Sequence, residues 1–360
     1  MRILILANKG SDHAKKCAEG LYKHGHEILV VSPNDNENSV HVNSNINTVT
    51  LKYGGKKGYL LNVFELKKVC KRFKPDVVNV HYASGCGALS YFAKLHPAVI
   101  NCYGSDVFEF PRRNKFNNWL LKRILKYADG LASTSRGMAK EIKSILGNEK
   151  KRIAITPFGI DADFFRPYPR ELNNHRMVIG IVKSMKPIYD IPLLINAFSI
   201  IYDHYAPRPL LRIYGDGPMK NELKHMCEGL NISDSVEFMG GVPNEEIPKA
   251  LNLMDVFVNC SKQESFGVNI LEAMACELPV IATDCVGPRE LIEDGKSGLI
   301  LKERTPKCLA DTIIYLLNNE TMRREMGKNG RKRVLEYYDW QNNIKELEKV
   351  LDNCNEKKEN

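Results

Sequence analysis

Short apolar runs alternate with amphipathic stretches along most of the chain, and this alternation occurs in two rounds. In the first round, runs such as Arg2–Ala7 and Val77–His81 predict strands, and stretches such as Asp12–His24 predict the helices between them. The pattern stops at a polar, proline-containing segment, residues 166–176, and restarts at Met177–Val182. Because successive strand–helix–strand units form parallel sheets covered by helices, we predict an α/β fold with two doubly wound, Rossmann-like domains facing across a cleft.

Length and composition agree with this prediction. A chain of 360 residues corresponds to about two domains at about 150 residues each. The chain is 43% hydrophobic and 26% charged, which excludes a disordered chain, a coiled coil or a collagen-like repeat. Doubly wound sheets bind ligands at the carboxyl ends of their strands, so we expect the active site in the cleft between the domains.

The charge is distributed unevenly between the two halves. Residues 1–165 contain 26 Lys and Arg against 14 Asp and Glu, whereas residues 166–360 contain 26 against 29. A strongly basic half predicts an anionic partner, namely a membrane surface, a nucleic acid or a phosphorylated acceptor.

The sequence offers no sign of secretion or of metal binding. The opening MRILILANKG has an apolar stretch of five residues, shorter than the roughly 7–15 residues of a signal peptide, so we expect a cytoplasmic protein. None of the ten cysteines forms a C-x-x-C pair, and we expect them to be reduced thiols rather than zinc ligands.

The strongest functional signal is a pair of glutamates, Glu264 and Glu272, in the segment 259–300. The preceding strand is predicted to end near Asn259, which places Glu264 in a loop and Glu272 in the first turns of the next helix. The backbone N–H groups that begin a helix have no intrahelical partners and bind phosphate, and Gly267 would let a ligand approach the backbone. Carboxylates on either side suit sugar hydroxyls, so this segment is a candidate sugar-phosphate site.

Two other interpretations of this pair exist. Glu272 could simply stabilise the helix dipole while Glu264 is solvated. The pair could also serve a glycosidase, which needs two carboxyl groups about 5–9.5 Å apart. Their predicted positions, in a loop and along a helix, exceed that separation, so the glycosidase interpretation is disfavoured.

Around the pair, the sequence resembles the retaining family 4 glycosyltransferases of the GT-B fold. The E-x7-E pattern is followed by EAMACELPVIAT at 272–283 and GPRELI at 287–292. The resemblance covers nearly the whole chain, and the N-terminal half is similar to the branch that builds bacterial and archaeal surface polysaccharides. Further matching segments are Ile213–Pro218, Phe238–Gly240, Thr156–Asp161, Ser11–His13, His81–Gly85 and Tyr103–Val107.

The resemblance implies that a sugar moves, with retention of configuration, from a nucleotide-diphosphate sugar to a lipid-linked or other glycan acceptor, without a metal or other cofactor. Residues 177–335 would bind the donor, with Glu272 on the ribose and Glu264 on the sugar. Residues 1–165 would bind the acceptor, and the last helix, 340–351, would return to that domain. The other residues implied for the donor are Gly215, Val242, Phe266, Gly267, Val268 and Asn269. Gly10 would approach the phosphate or the acceptor from the first domain, and the residues implied for the acceptor side are His13, His81, Tyr103 and Asp106. The catalytic candidates are Glu264, Lys183, His81 and Asp106.

Two positions depart from the family pattern. The family usually has an Arg and a Lys, five apart, that neutralise the diphosphate, but here the aligned residues are Ser184 and Tyr189. Lys183 and Lys186 lie beside them, and a lysine can bind phosphate as a point charge. Either could replace the missing pair, and both could also be solvated surface residues. Tyr103 stands where the family often has a histidine, and a tyrosine can donate a hydrogen bond but is not a base at neutral pH.

The basic half also contains one amphipathic helix, predicted within Pro111–Ala128. Leu120, Leu121, Ile124 and Leu125 form one stripe, and basic residues lie mostly elsewhere. Two interpretations stay open and are compatible. The stripe can pack on the sheet, and the basic face can rest on anionic lipid, which would make the protein peripheral on the cytoplasmic face of the membrane.

Weaker motifs are given structural interpretations. Asp161–Asp163 is expected to be a cap rather than a metal-binding D-x-D, and Gly215–Gly217 lacks the third glycine of a dinucleotide fingerprint because Lys220 occupies that position. His24 and His26 flank a glycine at a helix end, which predicts a turn.

Two other functions remain as alternatives. A nucleotide-sugar epimerase shares the two-domain architecture and would convert the donor without an acceptor. A nucleic-acid binder would use the basic half, but the aromatic residues are scattered and no recognition motif is present. We therefore expect no nucleic-acid partner.

Overall fold

The computed structural model describes residues 1–8, 10–33, 43–169 and 176–359. It divides into two compact units, the first formed by Met1–Gly159 with Gln341–Asn360 and the second by Ile160–Trp340. Residues 170–175, which belong to the predicted linker, lie outside the described residues.

The first unit is built on a seven-stranded parallel sheet with the order β3-β2-β1-β4-β5-β6-β7. The order reverses between β1 and β4, as in doubly wound sheets. Its strands are β1 (Arg2–Leu6), β2 (Glu27–Ser32), β3 (Asn47–Thr50), β4 (Val77–His81), β5 (Ala98–Cys102), β6 (Gly130–Ser133) and β7 (Ala154–Ile155). Its helices are α1 (Asp12–Lys23), α2 (Gly55–Leu61), α3 (Val63–Phe73), α4 (Gly85–Ala93), α5 (Ser105–Phe108), α6 (Lys115–Tyr127) and α7 (Arg136–Leu146).

The second unit is built on a six-stranded parallel sheet with the order β10-β9-β8-β11-β12-β13. The predicted α/β class with two doubly wound sheets is therefore confirmed. The strands are β8 (Val178–Val182), β9 (Leu210–Tyr214), β10 (Val236–Gly240), β11 (Val256–Asn259), β12 (Val280–Ala282) and β13 (Leu299–Ile300). The helices are α8 (Ile191–His204), α9 (Lys220–Gly229), α10 (Ile247–Asn252), α11 (Val268–Ala275), α12 (Val286–Leu291), α13 (Pro306–Asn318) and α14 (Glu320–Tyr337), and α15 (Trp340–Glu359) follows.

Each sheet has its own core because its central strands are apolar on both faces. The four residues of β1 from Ile3 to Leu6 are fully buried. In β11 the first three residues are fully buried and Asn259 is 1% exposed. Such fully apolar strands are typical of parallel sheets that helices cover on both sides. Among the described residues, none of the helices combines the length and the apolar character needed to cross a bilayer.

The last helix, α15, packs on the first unit. The two carboxylate oxygens of Glu348 accept hydrogen bonds from His24 Nδ1 at 2.8 Å and His26 Nε2 at 2.6 Å. Further along the helix, Cys354 lies against Gly130, where an added Cβ would be 2.6 Å from the sulfur. The helix continues to Glu359, beyond the expected end at residue 351.

The amphipathic pattern of residues 60–72 predicts a single helix, but the structure has two helices here, α2 and α3, separated at Asn62. This side chain is completely buried. Its amide oxygen accepts the Tyr53 N–H at 3.0 Å, and its amide nitrogen donates to the Tyr53 carbonyl at 2.7 Å. Both bonds tie the preceding turn to the start of α3, where the helical run is interrupted.

Helix α14 approaches the end of α11 closely enough for backbone contact. A Cβ at Gly327 would lie 1.9 Å from the carbonyl oxygen of Glu277, and one at Gly330 would lie 3.4 Å from Met274. The two helices therefore touch through these glycines, and α14 supports the helix that contains Glu272.

We expect Gly327→Ala to destabilise the protein by about 1–3 kcal/mol, as overpacking usually does. The matched control is Gly229→Ala, at the end of α9, where an added Cβ meets nothing within 4 Å. An alanine there should be neutral or stabilising, because it reduces the entropy of the unfolded chain. Urea denaturation measures both, and equal stability of the two variants would contradict the proposed packing.

Candidate functional site

The predicted donor residues of the second unit meet at the carboxyl edge of its sheet. Lys183 follows β8 directly, and Glu264 lies in the loop after β11. Lys183 Nζ is 2.6 Å from Glu264 Oε2, and the two side chains are only 15% and 13% exposed. This ion pair joins residues that are 81 positions apart in the sequence, so the sequence predicted both members without predicting their contact.

Asn269 connects this ion pair to the start of α11. Its Oδ1 accepts from Lys183 Nζ at 3.5 Å and from Asn259 Nδ2 at 3.3 Å. Its own Nδ2 donates to the carbonyl of Val182 at 3.2 Å. The asparagine therefore fixes the N-terminus of α11 relative to the ends of β8 and β11.

The conformation of the segment before α11 depends on two glycines, Gly267 within it and Gly287 in α12. Gly267 has φ +103°, a conformation that glycine adopts without the steric cost of a Cβ. Phe266 is 2% exposed, and its carbonyl oxygen would lie 2.1 Å from a Cβ at Gly287. Because α11 begins at Val268, its first N–H groups point toward this loop.

Glu272 lies one turn further along α11, and it is half-buried. It is close enough to Cys276 for its charge to add to the effect of burial, and together they raise the pKa of that thiol to about 12. Glu264 is thus in the loop before α11 and Glu272 is within α11, as the sequence predicts.

The loop after β9 holds the backbone of Lys183 in place. Gly215 has φ +131°, and a Cβ there would be 2.0 Å from the Lys183 carbonyl oxygen. The backbone N–H of Lys183 also donates to Tyr214 at 2.9 Å. In this structure Gly215 therefore supports Lys183. Val242 follows β10 and is half-buried, whereas Lys186 is exposed.

Tyr189, which the resemblance aligns with a lysine of the family, contacts Lys183. Lys183 Nζ lies 4.5 Å from the centroid of the Tyr189 ring, within the range of a cation–π interaction. The 3₁₀ turn Pro187–Tyr189 holds the ring at this position. The sequence indicated the substitution, but the contact depends on the fold.

The predicted acceptor residues of the first unit also converge. The ring of His13, in the first turn of α1, stacks on Phe158 with centroids 3.8 Å apart, and Phe158 stacks on Tyr103 at 5.1 Å. The Tyr103 hydroxyl is 2.8 Å from Nδ1 of His81. Phe158 was not predicted as a site residue, although it lies in the matched segment Thr156–Asp161.

Both histidines are neutral at neutral pH. Burial, with Lys16 nearby, lowers the pKa of His13 to about 4, and burial lowers the pKa of His81 to about 3. A neutral imidazole can accept the hydrogen bond of Tyr103. His81 is only 2% exposed, so it reaches the surface through Tyr103 rather than lining it.

Asp106 is also inside the protein, at 1% exposure. Its Oδ2 accepts the N–H of Ala83 at 2.8 Å, and its Oδ1 accepts those of Tyr103 at 3.1 Å and Gly104 at 2.8 Å. Burial raises the pKa of this carboxyl, although the backbone hydrogen bonds oppose the shift. Through these hydrogen bonds Asp106 joins the loop after β4 to the loop after β5. Gly10, in contrast, is exposed after β1.

Asp161, in the Asp163-containing motif before the second unit's first strand, is bonded to its own turn. Asp161 Oδ1 accepts the N–H groups of Asp163 at 3.1 Å and Phe164 at 3.0 Å, which is a cap. Across the described ranges, no group of three or more His, Cys, Asp or Glu side chains is arranged to hold a metal ion.

Helix α6 confirms one predicted feature, the inward apolar stripe. Leu120, Leu121, Ile124 and Leu125 are buried in the core of the first unit. Its basic residues are mostly exposed.

Comparison with known proteins identifies both units. Residues 168–333 match the family model of glycosyl transferases group 1, and residues 2–135 match that of the glycosyl transferase 4-like proteins. An uncharacterized glycosyltransferase of Methanocaldococcus jannaschii is 27% identical, over 82% of this chain and 80% of its own length. The N-acetyl-α-D-glucosaminyl L-malate synthase of Bacillus anthracis is 26% identical, over 91% of this chain and 88% of its own length.

The fold is also that of solved glycosyltransferases. HepE of Anabaena, solved in complex with UDP, superposes with a TM-score of 0.81 at 17% identity, over 98% of this chain and 100% of its own. The two family models, the relatives and the two parallel sheets agree with one another. The chain is therefore a glycosyltransferase of the group 1, family 4-like type, with the GT-B fold.

Proposed function

We propose that the protein is a retaining glycosyltransferase that moves a sugar from a nucleotide-diphosphate sugar to a lipid-linked glycan acceptor. The observation that carries the proposal is the ion pair of Lys183 and Glu264 at the N-terminus of α11. A cation and a helix N-terminus suit a diphosphate, and the carboxylate beside them suits the hydroxyls of the attached sugar.

The donor is proposed to lie along the carboxyl edge of the second sheet. Glu272 would accept the ribose hydroxyls, Glu264 would accept those of the sugar, and the backbone of residues 266–269 would contact the diphosphate. Val242 would cover the base. The Anabaena protein, which shares the fold, was solved with UDP and also with UDP-glucose, which supports a donor of this class.

Departure of the diphosphate is the demanding step because negative charge develops on it. Lys183 is proposed to stabilise this charge together with the first N–H groups of α11. Preorganised donors of this kind typically contribute about 10²–10³ in rate each. Lys186, which is exposed, would assist from the solvent side.

We further propose that these groups suffice without a metal ion or other cofactor. Transfer measured after treatment with EDTA should then keep its rate. A loss that Mg²⁺ or Mn²⁺ restores would show that a metal shares the charge of the diphosphate.

Retention follows if the acceptor attacks from the face that the diphosphate leaves, and the diphosphate takes the acceptor proton. This route needs no side chain that acts as a base. His81 agrees with it, because burial lowers its pKa to about 3 and so makes its imidazole a weak base. The name of the Bacillus anthracis relative specifies an α-linked product, which an α-configured donor gives by retention.

The acceptor is proposed to bind on the first unit near Gly10, His13 and Tyr103. The stacked rings of His13 and Phe158 offer an apolar surface of the kind that sugar rings contact, and Tyr103 offers a hydroxyl. His81 and Asp106 would act through Tyr103 and the loops that Asp106 joins, as positioning residues.

We propose that α6 rests with its basic face on an anionic membrane, on the cytoplasmic side. Its apolar stripe is occupied by the core, yet Phe116 and Trp119 are 63% and 50% exposed. Aromatic side chains among basic residues favour a membrane interface.

Glu264→Gln is expected to lower kcat by about 10²–10³, because the amide leaves Lys183 without its partner and weakens contacts that orient the donor sugar. Glu272→Gln is expected mainly to weaken donor binding, by about 10–100-fold for a lost charged hydrogen bond. Steady-state kinetics and calorimetry with the donor measure these effects.

The matched control for both is Glu228→Gln, a carboxylate of α9 that is 66% exposed. It should behave as the wild type. Normal kinetics for both site variants with the true donor would refute the assignment.

Tyr189→Leu is expected to lower transfer about 2–30-fold, because a cation–π contact is worth about 0.5–2 kcal/mol. Tyr189→Phe keeps the ring face and should retain near-normal activity. The loss in Tyr189→Leu should be accompanied by weaker inhibition by the nucleoside diphosphate product, since Lys183 is less well held. Equal activity of the Leu and Phe variants would show that the ring does not position Lys183.

A further inference from the structure

The junction of α2 and α3 exposes three large apolar side chains within five positions. Leu60, Leu61 and Phe64 are 57%, 53% and 79% exposed. Single exposed apolar residues are ordinary on a protein surface, but a contiguous patch indicates an interaction site. We call these three residues the apolar tip.

The apolar tip is held in place from behind. Asn62, between its residues, is buried and bonded to the backbone of Tyr53. On the next turn of α3, Leu66 is fully buried in the core. The inner side of the junction is thus fixed to the protein, and its outer side chains cannot turn inward without displacing a packed neighbour.

The surroundings of the apolar tip are strongly basic. Between residues 55 and 74 the only acidic residue is Glu65, whose carboxylate accepts the Lys52 N–H at 2.9 Å. Seven basic residues in this segment are exposed: Lys56, Lys57, Lys67, Lys68, Lys71, Arg72 and Lys74.

The apolar tip lies at the edge of the sheet where the acceptor is proposed to bind. The ring of Tyr59, next to Leu60, covers Gly85 at the start of α4, where an added Cβ would be 2.7 Å from the ring. The Tyr59 hydroxyl donates to Asn8, just after β1, at 3.3 Å. Helix α4 in turn packs on α6, so the tip and α6 belong to one helical layer.

We propose that the apolar tip inserts into the headgroup region of an anionic bilayer, with the surrounding lysines on lipid phosphates. It would act as a second anchor beside α6. Because both anchors border the acceptor edge, this edge would face the lipid. The statement about the acceptor rests on the proposed function, whereas the docking itself does not.

The charges and side-chain types favour lipid over other occupants. A two-fold contact between copies brings the same patch of each together, and here it would oppose seven cations to seven. Of the three side chains of the apolar tip, only Phe64 has a ring on which a base could stack. A bilayer, in contrast, accepts aliphatic side chains beside anionic headgroups.

The test is sedimentation of the full chain with vesicles of phosphatidylcholine alone or with 30% phosphatidylglycerol. The wild type should bind the anionic vesicles, less so at high salt because of screening. The triple variant Leu60→Ser, Leu61→Ser, Phe64→Ser should bind at least tenfold more weakly. The variant Lys67→Glu, Lys68→Glu should lose most of the preference for phosphatidylglycerol.

The matched control is Leu335→Ser, at a leucine of the second unit that is 45% exposed. It should bind vesicles like the wild type. Since all the substituted positions are exposed, circular dichroism and thermal unfolding should be unchanged. Equal vesicle binding by the triple variant and the wild type would overturn the proposal, and so would a wild type that binds no vesicles. Self-association through the apolar tip, or a gel shift of RNA without binding to vesicles, would also overturn it.

A fluorescence readout separates docking from catalysis. The chain has two tryptophans, so Trp340→Phe leaves Trp119 of α6 as the reporter, and brominated lipid should quench it in the wild-type background but less in the triple variant. Quenching without any donor-dependent transfer would leave the docking intact and refute the proposed function. Donor-dependent transfer with no quenching would refute the docking and leave the proposed function intact.

Discussion

The ion pair between Lys183 and Glu264 is the contact around which the second unit's site is arranged. A lysine and a carboxylate that are both mostly buried need each other, since either alone would be a costly unpaired charge. The pair gathers the ends of β8 and β11, Asn269 links it to α11, and Tyr189 covers the ammonium. The chain thus presents one firmly held cation at the N-terminus of a helix, although Ser184 and Tyr189 stand where the resemblance places an Arg and a Lys.

The predicted acceptor residues of the first unit are held by aromatic rings and backbone amides instead of ion pairs. His13, Phe158 and Tyr103 form a stack, and Tyr103 extends the contact to His81. Their histidines are kept neutral by burial. Such a surface has little charge of its own, which suits contact with an uncharged sugar, while the basic residues of this unit lie on its outer helices.

Some parts of the fold could be predicted from sequence because their signals are local. The run Val77–His81 is a strand with the predicted bounds, since a continuous apolar stretch flanked by helix and turn residues leaves little choice. Strand β3 was missed because NTVT is polar and largely exposed at a sheet edge. The break at Asn62 was missed because a buried asparagine ends the helix through bonds to another segment.

In the candidate site, too, the local features could be predicted from the sequence and the contacts between distant segments could not. Glu264, Glu272 and Gly267 are close in sequence, so spacing and a helix start were enough to bring them together. The contacts of Lys183 with Glu264 and with Tyr189 depend on the loops that follow two strands, and no local pattern contains them. For Asp106 the sequence located the residue, whereas its burial and its three backbone bonds indicate a different task from lining a surface.

The buried carboxylate of Asp106 has an evolutionary consequence. Because Asp106 bonds to amides in the loops after both β4 and β5, an insertion in either loop would pull its amides away from the shared oxygen atoms. The two loops are therefore expected to keep their lengths together among descendants of this chain. Diversification of acceptor preference would then proceed by exchanging side chains such as Tyr103, with the backbone left as it is.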